Sequence, residues 1–186
     1  MGRRWLVWGM GLVLAGCVFT ERPVLDESNS VTIENSPAVQ AFLAAADGYS
    51  WGPDGAQPGP GGATLFSVTD GRAPDAIRVR ETEGGIVLVQ ETAAGCGLPM
   101  CTAYYGVRVG PDGTPQLCLF DASGPWEAVV ARAAPFGVTL VKQEETEGLI
   151  DVPPVVTVAG APGDIAAFLL AHTDEEFMRC RTPPER

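Results

Sequence analysis

One histidine, His172, and one lysine, Lys142, are all that 186 residues contain of either type. A metal site built from several imidazoles is thereby excluded. What remains for a soft metal is the mixed set Cys96, Met100, Cys101 and His172. No Gly-x-Ser-x-Gly elbow accompanies His172, so no nucleophile with a base in reach is legible. No phosphate-cradling loop occurs: Gly59-Pro60-Gly61-Gly62 carries a proline that removes an N–H donor, and no helix with Lys-Ser or Lys-Thr follows. Cys-x-x-Cys is missing too, since four residues separate Cys96 from Cys101, and the short spacing that lowers a thiol pKa is not there. The acidic cluster Glu144-Glu145-Thr146-Glu147 lacks the ligand spacing of a calcium loop. Finally, no apolar run can span a bilayer. Even about fifteen helical residues reach only ~22 Å, against ~30 Å of hydrocarbon.

The longest apolar run lies at the start of the chain. Arg3 and Arg4 precede apolar residues from Trp5 to Ala15, and small residues then lead to Cys17. A positive segment, a short apolar segment and a small-residue cleavage site make a secretory signal. The run Leu14-Ala15-Gly16-Cys17 resembles the lipobox of bacterial lipoproteins. The resemblance covers the first seventeen residues. It implies a diacylglyceryl group on the Cys17 thiol, cleavage just before that residue, and fatty acyl chains such as palmitate as the anchor. Two or more chains hold a protein stably on a membrane without spanning it. Val18 follows where an Asp would favour retention at the inner membrane, so the resemblance implies the outer membrane, facing the periplasm.

Removing residues 1–16 removes two of twelve bases and no acid, so 23 acids against 10 bases leave the mature chain at −13. Such a surface repels nucleic acid and anionic headgroups, and favours solubility, a cationic partner or a divalent ion. Without Cys17, five cysteines become four: Cys96, Cys101, Cys118 and Cys180. An even number in an exported chain reads as disulfides. Of three possible pairings, Cys96–Cys101 closes locally across Gly97-Leu98-Pro99-Met100. That leaves Cys118–Cys180, closing about sixty residues and worth roughly 3–4 kcal/mol in a loop-entropy model.

Residues 17–30 show no hydrophobic period and read as a lipidated, flexible tether; residues 31–186 read as one domain. Val31-Thr32-Ile33 is a candidate strand. Ser36 and Pro37 set the start of an amphipathic helix over 37–47, with Ser36 as N-cap. A Gly/Pro-dense loop over 49–63 carries Tyr49 and Trp51, the candidate partner surface. Alternating segments near 65–68, 77–81, 86–89, 103–109 and 116–120 read as strands, with Glu83-Gly84-Gly85 turning one hairpin. A two-residue turn at Asp112-Gly113 sets Val107 opposite Cys118. Ser123 to Ala134 reads as a helix, 137–141 and 155–158 as strands, and 162–171 as a helix. Thr173-Asp174-Glu175-Glu176 matches a capping box for a last helix running to Cys180. The strand–loop–helix order at 31–45 is echoed at 156–171.

These readings predict an α+β domain: a largely antiparallel sheet of five to seven strands with two or three helices on one face. The expected function is that of a membrane-anchored envelope lipoprotein. It would be a non-enzymatic interaction or accessory module, attached to the lipid bilayer through Cys17, with an envelope protein or cell-wall partner and no cofactor, metal or nucleic acid. The alternative is an envelope enzyme or soft-metal or redox protein using the Cys96/Cys101 segment and His172.

Overall fold

The computed structural model describes residues 18–45, 56–59, 63–66, 75–92, 102–120, 125–142, 156–173 and 177–182. Its class is mixed α+β. The described strands form one sheet: β1 (Val18–Thr20), β2 (Ala56–Pro58), β3 (Thr64–Phe66), β4 (Asp75–Glu81), β5 (Val87–Thr92), β6 (Thr102–Val109), β7 (Pro115–Phe120), β8 (Thr139–Lys142), β9 (Val156–Ala159) and β10 (Met178–Arg181). Among the described residues three α-helices accompany them: α1 (Pro37–Ala45), α2 (Trp126–Ala133) and α3 (Pro162–Ala171). Ten strands exceed the expected five to seven, because β1, β2 and β10 come from segments read as tether, loop and helix.

The strand order is β2-β3-β4-β5-β6-β1-β9-β8, with β7 pairing β6 on one side and β10 on the other. The sheet therefore forks at β6. Residues 102–104 pair with β1, whereas 106–109 pair with β7. Among the described strands β1 and β9 run parallel, and the other pairs are antiparallel.

Two hairpins set the register. In each, three residues turn the chain and a glycine takes the left-handed conformation: Gly85 at φ 73° and Gly113 at φ 82°. The second hairpin corrects the expected pairing by one residue. Gly110 N–H donates to Thr114 O and Gly113 N–H to Gly110 O, so Gly106 lies opposite Cys118 and Val107 opposite Leu117. The odd loop length moves Cys118 to the face opposite Val107.

Alternation along the strands builds two apolar layers. Phe19, Val79, Val89, Tyr105 and Leu117 pack under Val39 and Phe42 of α1. Val18, Leu88, Tyr104 and Val158 pack under Ile165, Phe168 and Leu169 of α3, with Ala133 of α2. Helices thus cover both faces, not one. A sheet buried on both sides explains why β5 reads Val87-Leu88-Val89 without interruption. Beyond the fork, Ile86, Cys118 and Met178 close the second face. A Cβ on Gly106 would meet Ile86 Cγ2 at 2.5 Å and Met178 Sδ at 3.0 Å, so glycine is required there.

Several local expectations change. Val31 forms a single bridge to Val79, and Ile33–Asn35 is a 3-10 turn, so the echo of two strand–helix units fails at its first strand. Ser36 precedes α1, but its hydroxyl is buried without a hydrogen-bond partner among the described residues, so it does not cap the helix. Trp126 opens α2 after Pro125, without a side-chain cap; Ser123 lies outside the described residues. Thr173 Oγ1 donates to Leu170 O at 2.9 Å, closing α3, and the segment reaching Cys180 is strand β10. Among the described residues no helix is long and apolar enough to cross a membrane.

Candidate functional site

Residues 18–25 fall in the expected tether, yet in the structure they dock on the sheet. Val18 pairs with Tyr104 on one side and Val156 on the other, and is 3% exposed. Thr20, Val24 and Leu25 are buried as well. The cause is a polar clasp that a hydrophobic period does not reveal. Gln90 Oε1 accepts hydrogen bonds from Val24 N–H (2.8 Å), Leu25 N–H (2.7 Å) and the Tyr104 hydroxyl (2.8 Å). Gln90 Nε2 donates to Leu25 O at 3.1 Å. Val24 N–H also reaches the Tyr104 hydroxyl at 2.9 Å. Gln90 and Tyr104 are themselves buried, and burial pushes the Tyr104 phenol up to about 12. The Gln90 amide and the Tyr104 hydroxyl thereby find partners.

The following loop is clamped too. Arg80 Nη1 donates to Asn29 O at 2.8 Å, and Arg78 Nη1 reaches Ser30 Oγ at 3.5 Å. Both arginines are half-buried beneath residues 29–30, while Ile77 and Val79 face the core as the alternation predicts. Asp26 caps its own turn by accepting from Ser28 N–H at 2.8 Å and from the Ser28 hydroxyl at 2.6 Å. Those bonds hold its carboxyl below the usual range.

A second cluster surrounds His172. The imidazole is 6% exposed, and its Nδ1 lies 2.7 Å from Phe168 O. A carbonyl only accepts, so Nδ1 carries the proton. Phe168, Phe177 and Phe136 surround the ring, with centroids at 4.5, 4.2 and 5.5 Å. The Arg132 guanidinium carbon lies 4.1 Å from the Phe177 centroid, within cation–π range. His172, Phe168, Phe177 and Arg132, together with Val18 and Val129, help to line a cavity of about 40 Å³. Ligand sites run to roughly 300–1,000 Å³, so this space is a packing gap at the fork of the sheet. A groove of about 410 Å³ runs between Arg22, Val141, Val158 and Pro162.

The cysteine expectation divides. Cys118 and Cys180 lie directly opposite on β7 and β10 and form a disulfide, with α-carbons 3.9 Å apart. It joins two strands, not a helix to a strand. Cys17, Cys96, Cys101, Met100, Tyr49 and Trp51 lie outside the described residues. Among the described residues no group of three or more His, Cys, Asp or Glu is placed to hold a metal ion. The residues that the sequence left unremarked are Gln90, Thr20 and Arg132. Gln90 carried one signal: it is an amide directly continuing the apolar run 86–89.

No family model, no curated protein and no solved structure matches the chain.

Proposed function

We propose that this chain is a lipoprotein of the bacterial cell envelope. It is held on a bilayer through acylated Cys17, at the periplasmic face of the outer membrane, and acts there as a non-enzymatic interaction or accessory module. The observation that carries the reading is the order Arg3-Arg4, apolar run, Leu14-Ala15-Gly16-Cys17. Two further facts support it. The Cys118–Cys180 disulfide suits an oxidising compartment such as the periplasm. The mature charge of −13 suits a solvated domain facing a protein or cell-wall partner and not nucleic acid.

Partition into a detergent phase tests the anchor. Expressed in a bacterium, the wild-type chain enters the detergent phase and Cys17→Ser enters the aqueous phase. Equal partition of the two proteins contradicts the reading.

A further inference from the structure

The placement of β1 bears on how an anchored domain meets its membrane. A lipid on Cys17 is one peptide unit, about 3.8 Å between α-carbons, from Val18. Val18 is paired on both sides and buried, Thr20 is wholly buried, and the Gln90 clasp holds residues 24 and 25. No spacer separates anchor from core. A flexible linker would let the domain roam by about 5–6 Å times the square root of its length; here that freedom is absent.

The surface beside the start of β1 must therefore lie at headgroup level, and the register names it. Lys142 pairs with Val156, which pairs with Val18, so the chain's one lysine sits two strand spacings, about 10 Å, from Val18. Val129 and Arg132 of α2 line the same small cavity as Val18. Within α2 only Ala133 is buried. Trp126 is half-buried, Val130 is 39% exposed, and Arg132 is exposed. A tryptophan, an exposed valine and two cationic side chains around one anchor make an interfacial surface. In a domain of charge −13, most of the remaining surface is repelled by anionic lipid, whereas the described residues of α2 and β8 set Arg132 and Lys142 against one acid, Glu127.

We infer that the anchored domain lies directly on the phospholipid bilayer, with α2 and the Lys142 end of β8 against the headgroups. The inference rests on the anchor reading and goes beyond it by fixing orientation.

Tryptophan fluorescence tests it. After loss of residues 1–16 the chain keeps two tryptophans, Trp51 and Trp126, so Trp51→Phe isolates Trp126. The acylated protein is placed in phosphatidylcholine–phosphatidylglycerol vesicles carrying nitroxide at the headgroup level. The expected result is several-fold stronger quenching of Trp126 than for the Cys17→Ser protein mixed with the same vesicles. Hydrogen exchange on the protein with Trp51 intact provides a second readout. It should show protection of 126–133 and 139–142 on the vesicle, and unchanged exchange in the hairpin at 110–114.

An N-terminal peptide whose mass shows acylation, with Trp126 unquenched and α2 unprotected, overturns the orientation and leaves the anchor standing. Protection of α2 only when other envelope proteins are added also overturns it, in favour of a protein partner. An unacylated Cys17 overturns both.

Discussion

Replacing Gln90 by Met keeps the length and volume of the side chain and removes every hydrogen bond it makes. Four groups are affected: Val24 N–H, Leu25 N–H, Leu25 O and the Tyr104 hydroxyl. Val24 N–H keeps the Tyr104 hydroxyl, and that hydroxyl keeps Thr20 Oγ1 at 3.3 Å. Leu25 N–H and Leu25 O lose these partners in a residue 2% exposed. Each buried polar group left unpaired costs about 1–3 kcal/mol, so Gln90→Met should destabilise by roughly 2–6 kcal/mol. Urea denaturation of the Cys17→Ser mature domain measures this. With m near 2 kcal/mol/M, the midpoint falls by about 1–3 M with m unchanged. Hydrogen exchange on the same variant should show residues 18–25 opening before the rest of the sheet. A loss below about 0.5 kcal/mol, with 18–25 exchanging freely in both proteins, would refute the docked N-terminal segment and restore the tether.

Other consequences follow from the same structure. Removing the disulfide with Cys118→Ala and Cys180→Ala closes no loop across a sequence separation of 62. It should cost about 4 kcal/mol, and calorimetry should show Tm lower by roughly 8–16 °C. Gly106→Ala drives a methyl into Ile86 and Met178 and should cost about 1–3 kcal/mol by the same urea assay. Ser36→Ala removes a buried, unpartnered hydroxyl. It should leave stability equal or slightly higher, whereas a true N-cap would lose about 1 kcal/mol. Tyr104 is held neutral by burial, with its phenol near 12 against an ordinary 10. Its contribution is complete below pH 10 and is lost as pH rises through 12, roughly 2–3 kcal/mol in all. Stability measured between pH 9 and 12 should fall less steeply in Tyr104→Phe.

Much of the fold is legible because its signals are local. Period-two alternation places β4 and β6, and Pro162 with Ile165, Phe168 and Leu169 places α3. The preferred one of three cysteine pairings contains Cys118–Cys180, which is bonded in the structure. The failures are non-local. β1 is three residues whose strand character comes from Tyr104 and Val156, far away in sequence. β10 carries a helix-like start signal, but its backbone is claimed by β7, the disulfide and Met178 packed over Gly106. The hairpin at 110–114 is one residue longer than a two-residue turn, and that residue inverts the face of Cys118. The resemblance of Leu14-Ala15-Gly16-Cys17 to a lipobox is a matter of residue order alone, so it is legible without a fold. The surface that would rest on the membrane is not, since Trp126, Arg132 and Lys142 meet Val18 only through the register of β8, β9 and β1.

The mass of the N-terminal peptide, taken from protein extracted from its native cells, tests the central claim most directly. The account predicts loss of residues 1–16 and a new N-terminus at Cys17 carrying a thioether-linked diacylglyceryl group. An unmodified Cys17, or a chain cleaved elsewhere, would contradict it.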